Sequence, residues 1–263
     1  LAAVPDGSAK AAGIAAGEKA AADVLARRLD DGASTPEAYR PHAAPGVYVP
    51  TAPVAIPQWS QRKPWLMAGA SHFRPAPPPA LSSAQWAREY NEVKDFGGRA
   101  ATRRGPEQTD VARFWDYSLP NIYYGVVRSV ALQPGRDVAH NARLFAAVAQ
   151  AMDDAMIGVF DAKYHYGFWR PVTAIRNGDT DGNDATARDA AWASLIDAPM
   201  HPEYPSGHSI LAATVATVLK AEIGSGPMPV LATSSPTAKG ATRRWNDLDE
   251  FVREVSNARI WGG

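Results

Sequence analysis

Val138-Ala-His-Asn-Ala-Arg-Leu-Phe-Ala-Ala-Val-Ala-Gln-Ala-Met-Asp-Asp-Ala-Met-Ile-Gly-Val-Phe160 sets the architecture of this 263-residue chain. Leu144, Val148, Met152, Met156 and Val159 recur at helical spacing, so a helix gathers them on one apolar face. The same period appears on both sides of this stretch. Residues 8–29 are Ala-rich, with Ser8 as a candidate N-cap and Gly32 just past the end. Ser83–Phe96 carries Trp86, Tyr90, Val93 and Phe96 in step, and Asp110–Tyr117 opens on a capping Asp and stops before Pro120. Arg188–Ile196, Ser209–Ile223 and Asp247–Trp261 follow. Alternation is limited to pieces such as Val47-Tyr-Val, and no repeat is evident. The period predicts an all-α chain built as a helical bundle.

Residues 36–79 hold eleven prolines, including Pro77-Pro78-Pro79. They also carry Trp59, Trp65, Leu66, Met67 and Phe73, which a free tether would not need. An extended strap over the helical body is expected, with residues 1–263 forming one domain. Lys+Arg and Asp+Glu both total 27, a balance that argues against nucleic-acid binding. Without cysteine there is no disulfide, thiolate nucleophile or Cys-based zinc site. The longest apolar run, Ile210 to Leu219, falls far short of the ~20 residues that span a bilayer, and the chain reads as soluble. Leu1-Ala-Ala-Val-Pro-Asp6 lacks the basic and apolar regions of a signal peptide.

The chemistry concentrates directly after the long helix, in Lys163-Tyr-His-Tyr-Gly-Phe-Trp-Arg170-Pro171. Seven residues at about 100° each would nearly eclipse Lys163 and Arg170 on one helical segment. Pro171 disfavours helical geometry at Arg170 and tends to end the element there. An isolated Lys/Arg pair is usually a solvated face. Here Tyr164, Tyr166, Phe168 and Trp169 surround the pair and imply partial burial, which calls for an anionic partner. His165 lies between the cations, where a contact within the pocket and a structural role are equally open.

Tyr204-Pro205-Ser206-Gly207-His208 runs straight into the apolar start of a helix. The first N–H groups of a helix lack intrahelical partners, and glycine lets the backbone approach an anion closely. Ser206 as a plain N-cap and His208 as a first-turn residue is the competing reading. His201 and Glu203 with His208 loosely suggest a metal site, but the zinc-deaminase pattern also needs two cysteines. No E-x-x-H occurs, which disfavours a di-iron bundle. His201 and Glu203 are therefore read, with His165, as pocket wall or supporting contacts. Asp179-Thr-Asp-Gly-Asn-Asp184 fits a turn better than a calcium loop.

The two strings match the patterns K-x6-R-P and P-S-G-H at every specified position, with 33 residues between Pro171 and Pro205. In this the chain resembles the superfamily of type 2 phosphatidic acid phosphatases, bacterial acid phosphatases and vanadium-dependent haloperoxidases. The third pattern of that superfamily, S-R-x5-H-x3-D, is met by Arg259, with Ala258 at its serine position. Its histidine, the covalent vanadate ligand or phosphorus nucleophile, would fall two positions beyond Gly263. The motif-bearing core runs from 163 to 263. The resemblance implies that Lys163, Arg170, Arg259, Ser206 and Gly207 bind vanadate, or phosphate in its place. It implies that His208 is the catalytic acid/base, with a pKa expected near neutrality.

The implied fold is the single-domain bundle of the haloperoxidases and acid phosphatases. The implied function is that of the soluble haloperoxidase-like branch, with peroxide-dependent halide oxidation on hydrogen peroxide and a halide. Alternatives are an acid phosphatase acting on phosphomonoesters through a phospho-histidine, or a non-catalytic oxyanion-binding protein. Family resemblance implies a periplasmic or secreted location, with no membrane span and no nucleic-acid partner.

Overall fold

A computed structural model describes residues 4–117 and 120–263, so the first three residues of the leader reading lie outside the described residues. Eight α-helices and one small hairpin are present among them. The helices are α1 (Ser8–Arg27), α2 (Ala84–Gly97), α3 (Pro106–Phe114), α4 (Asn121–Ala131), α5 (Val138–Tyr166), α6 (Pro171–Arg176), α7 (Gly207–Ile223) and α8 (Leu248–Gly262). Strands β1 (Leu231–Ser234) and β2 (Thr242–Trp245) pair antiparallel, Leu231 opposite Trp245.

Local chemistry sets most of the helix ends. Ser83, Asp137 and Asp247 cap α2, α5 and α8 through their side chains, supplying partners to first-turn N–H groups. The N-cap of α1 is Gly7 rather than Ser8, and it makes no side-chain cap bond. The third helix begins at Pro106, not Asp110: Pro needs no N–H donor in a first turn, and Gln108 reaches back to the Gly105 N–H at 2.8 Å.

The helix expected at 188–196 does not form. Asp189 turns the chain through its side chain, which accepts from Ala191 N at 3.0 Å. Backbone groups of Ala193, Leu195 and Ile196 then pair with Arg99, Gly97 and Gly262, at and just past the C-terminal ends of α2 and α8. Those partners replace the intrahelical ladder.

The main core gathers α3, α4, α5, α7 and α8 around Trp115, Tyr123, Leu144, Val148, Leu219 and Phe251. A second cluster joins Trp86 and Tyr90 of α2 to Trp169, Ile175 and Trp192. The proline-rich segment packs on α5 as expected of a strap. Three successive N–H groups, of Trp65, Leu66 and Met67, donate to the buried Asp154 carboxylate at 2.6–3.1 Å. Arg74 forks onto Asp161 at 2.7 and 2.9 Å. Val47-Tyr-Val does not join a sheet; Val47 forms an isolated bridge with Phe168.

Candidate oxyanion site

The long helix stops three residues after Lys163. Gly167 adopts φ 56°, a left-handed conformation that favours glycine, and its N–H closes the last turn on Lys163 O at 2.8 Å. Lys163 and Arg170 are therefore not eclipsed on one helix. Arg170 is extended, as a residue before proline should be, and is the N-cap of α6. The strap steadies the reversal, with Tyr48 N donating to Gly167 O at 2.7 Å and Trp169 N to Gly46 O at 3.0 Å. Trp169 stacks on Trp86 with centroids 6.0 Å apart.

The loop 201–206 then folds over both cations. The Lys163 ammonium is 2% exposed and donates to Pro202 O and Glu203 O, each at 2.8 Å. Arg170 donates through Nε to His201 O and through Nη2 to His201 Nδ1, both at 2.7 Å, and through Nη1 to Glu203 Oε2 at 2.5 Å. The anionic partner demanded by the buried cations is thus Glu203, 33 positions from Arg170 and in direct contact with it.

Arg259 of α8 completes the group, donating to Trp115 O at 3.2 Å. Burial pulls it below its ordinary value, Glu203 opposes that, and Arg170 adds to it. His165 does not join. It is exposed, its ring lies edge-on to Tyr166, and at roughly 200° from Lys163 on the helix it faces elsewhere.

Ser206 is the N-cap of α7. Its Oγ accepts from Ser209 N at 3.3 Å and from Ser209 Oγ at 3.0 Å, so the Ser206 hydroxyl proton remains free to donate. Gly207 follows as the first helical residue, with its N–H at the positive end of the helix. His208 comes next. Its Nε2 is buried and has no hydrogen-bond partner among the described residues. Tyr123 donates to its carbonyl at 3.3 Å.

These neighbours decide the titration. Burial, then Arg170, bring Lys163 down to about 7, with Glu203 opposing. Burial, then Lys163 and Arg170, take His201 down to about 3. His208 is held well below its usual value by burial, Arg259, Lys163 and His201, while the Trp115 carbonyl favours its protonated form. The near-neutral value expected for His208 is therefore corrected: the protein's own charges keep the ring neutral at pH 7. Burial raises the Glu203 carboxyl, but Arg170, Lys163 and Arg259 outweigh it and hold it below the carboxylate range.

A cavity of about 490 Å³ opens beside this group, walled by Trp86, Phe168, Trp169 and Pro78 and reaching Glu203 and Ser206. Trp115 and Tyr123 were not visible as site residues in the sequence. Their contribution is a backbone carbonyl and a phenol brought in by tertiary packing, and no motif marks either. No cluster of three or more His, Asp or Glu suited to a metal ion occurs among the described residues. No helix among them is long and apolar enough to cross a membrane.

All of the cationic group lies within residues 143–263, which match the family described as the VCPO second helical-bundle domain. That stretch is just under half of the chain, and it carries the chain's likeness to the vanadium haloperoxidases. It is 31% identical over 175 residues to vanadium chloroperoxidase of Curvularia inaequalis, a match covering 56% of this chain and 29% of that protein. The chain thus spans under a third of that relative's length. The crystal structure of a bacterial vanadium-dependent iodoperoxidase superposes with a TM-score of 0.69 at 28% identity, over 83% of this chain and 55% of that one. The apo form of a bacterial vanadium-dependent chloroperoxidase superposes with a TM-score of 0.71 over 94% of this chain and 68% of that one. At 18% identity, that second likeness is one of fold.

Proposed function

We propose that the chain binds vanadate between Lys163, Arg170 and Arg259 and serves peroxide-dependent oxidation of halide. The observation that carries this reading is the imbalance of charge: three cations face one directly bonded carboxylate, Glu203, with Asp116 acting on Arg259 from beyond salt-bridge distance, beside the unpartnered Nε2 of His208. The donor set fits a tetrahedral oxyanion. Lys163 keeps one N–H after serving two carbonyls, Arg170 keeps two of its five, and the Ser206 hydroxyl and Gly207 N–H complete the shell. Each charge-assisted contact is worth about 1.5–3 kcal/mol.

When bound, vanadate would supply a Lewis-acidic centre for peroxide. The neutral Nε2 of His208 accepts the proton that peroxide gives up and returns it to the departing oxygen. Peroxide, halide and a proton then leave as hypohalous acid and water. An anion among these cations also favours the protonated form of His208.

The test is a titration with orthovanadate followed by bromide oxidation with peroxide, with and without vanadate. Saturable binding and vanadate-dependent turnover are expected. Absence of vanadate binding by the folded protein would overturn the reading. Phosphomonoester hydrolysis inhibited by vanadate would replace it with the acid-phosphatase alternative, and binding without either activity would leave a non-catalytic oxyanion binder.

A further inference from the structure

We infer that Glu203 makes this site select tetrahedral oxyanions that carry a proton of their own, such as hydrogenphosphate or hydrogenvanadate, over fully deprotonated ones such as sulfate. The inference rests on reading Lys163, Arg170 and Arg259 as an oxyanion site.

Position comes first. Glu203 is pinned by its own backbone, with its N–H donating to Phe168 O at 2.9 Å and its carbonyl accepting from Lys163 Nζ at 2.8 Å. Its carboxylate meets Arg170 Nη1 at 2.5 Å, and 36% of its side chain stays open. Among the residues that line the cavity, Glu203 is the one bound to the Arg170 guanidinium. A tetrahedral ion taken up by the same guanidinium therefore comes against this carboxylate.

What happens there depends on the ion's own proton. Two bare anionic oxygens in contact repel, and like charges juxtaposed in a binding site cost several kcal/mol. An oxyanion that carries an O–H instead donates it to Glu203 as a charge-assisted hydrogen bond. Phosphate and orthovanadate keep at least one proton at neutral pH, whereas sulfate keeps none. Lys163, Arg259, Ser206 and His201 bear no negative charge, and the other carboxylates nearby, Glu89 on the cavity wall and Asp116 acting on Arg259, do not bond the Arg170 guanidinium, so discrimination there falls to Glu203. A site built around a ligand's O–H rejects the analogue that lacks it. The repulsive element is as much a part of that specificity as the attractive one.

A simple counter-ion would behave differently. If Glu203 only neutralised Arg170, removing its charge would strengthen every oxyanion alike. The experiment is calorimetric titration of the folded wild-type chain and Glu203→Gln with inorganic phosphate and with sulfate, at pH 7.5 and matched ionic strength. The wild type is expected to prefer phosphate by about 100-fold, and the variant to bring the two within about threefold, chiefly through a gain for sulfate.

An equal gain for both ions, or an unchanged ratio, would overturn the inference and leave the oxyanion reading standing. If Glu203→Gln does not fold, Glu203→Asp should keep the preference and Glu203→Ala should lose it; the reverse pattern overturns it. Failure of the folded wild type to bind either ion overturns the oxyanion reading, and the selectivity with it.

Discussion

Two groups of buried charge sit on the same helix, and they are balanced differently. Midway along α5, Arg28 and Arg62 meet Asp31 and Asp153, two cations against two carboxylates, with contacts as short as 2.5 Å. The neighbouring Asp154 is satisfied by three backbone N–H groups of the strap. At the C-terminal end of α5, Lys163, Arg170 and Arg259 outnumber the acidic groups that act on them, Glu203 in direct contact and Asp116 on Arg259 from further off, and both nearby histidines are neutral. The second lies deeper than the first, but both are largely shielded from solvent, so burial does not set the contrast. Charge balance does. The first group answers its own charge and works as a clamp that ties residues 28–67 to α5, while the second, on the proposed reading, keeps cationic capacity for a ligand.

The difference can be broken at either end. The largest expected effect is on stability at the balanced group. Arg62→Ala leaves Asp31 and Asp153 short of a partner and should cost about 3–5 kcal/mol in urea unfolding, with vanadate affinity in the folded protein unchanged. A loss of affinity equal to that of a site variant would erase the distinction drawn here.

At the unbalanced group the order reverses. Arg170→Ala should weaken vanadate or phosphate binding about 10- to 100-fold by calorimetry, the loss of charge-assisted contacts. Arg176→Ala, which removes a 2.7 Å bond to Trp192 O at the end of α6, should leave affinity in place. Equal effects would remove Arg170 from the site.

A third effect concerns pH. The folded chain holds Lys163 at about 7, against an ordinary 10.5. Between those values the unfolded chain carries a proton that the folded chain lacks, so this residue makes stability rise as pH climbs from about 7 towards 10. Below about 7 both states are protonated and its contribution is flat, at its least favourable. Thermal unfolding from pH 7 to 9.5 should therefore show a rising component that Lys163→Met removes, and parallel profiles would contradict it. Added phosphate should restore the proton and flatten the wild-type slope.

The smallest effect separates two serine caps of the same geometry. Ser83→Ala and Ser206→Ala each remove an N-cap and should each cost about 1 kcal/mol of stability. Only the second should also weaken oxyanion binding, by roughly tenfold for one lost donor. A binding loss in Ser83→Ala would show that cap stability, not the Ser206 hydroxyl, was being measured.

Much of this was legible in advance where the signal is local. The spans of α2 and α8 and the apolar face of α5 follow from side chains within a few residues of the backbone they serve, whereas the caps read at Ser8 and Asp110 gave way to Gly7 and Gly105. Arg188–Ile196 misled because its helical composition yields to hydrogen bonds offered by Arg99, Gly97 and Gly262. The short hairpin of Leu231–Ser234 and Thr242–Trp245 escaped because four residues give too little alternation to register. Lys163, Arg170, Ser206 and His208 could be picked out because their spacing forms two complete motifs. Glu203 drew notice only as pocket wall or a supporting contact, since nothing in its local sequence says that it touches Arg170.

Residue kinds and helical period were enough to specify an all-helical body, a packed proline-rich strap and a set of cations suited to an anion. Which groups meet was settled by packing. Gly167 reverses the chain so that Lys163 and Arg170 share the loop 201–206, and Trp115 reaches Arg259 from 144 positions away. Coulombic and desolvation energies depend on distance and burial in three dimensions. Spacing along a chain encodes those only within a turn or two of helix, so the neutral His208, the depressed Lys163 and the counter-charge at Glu203 emerge only once the chain is folded.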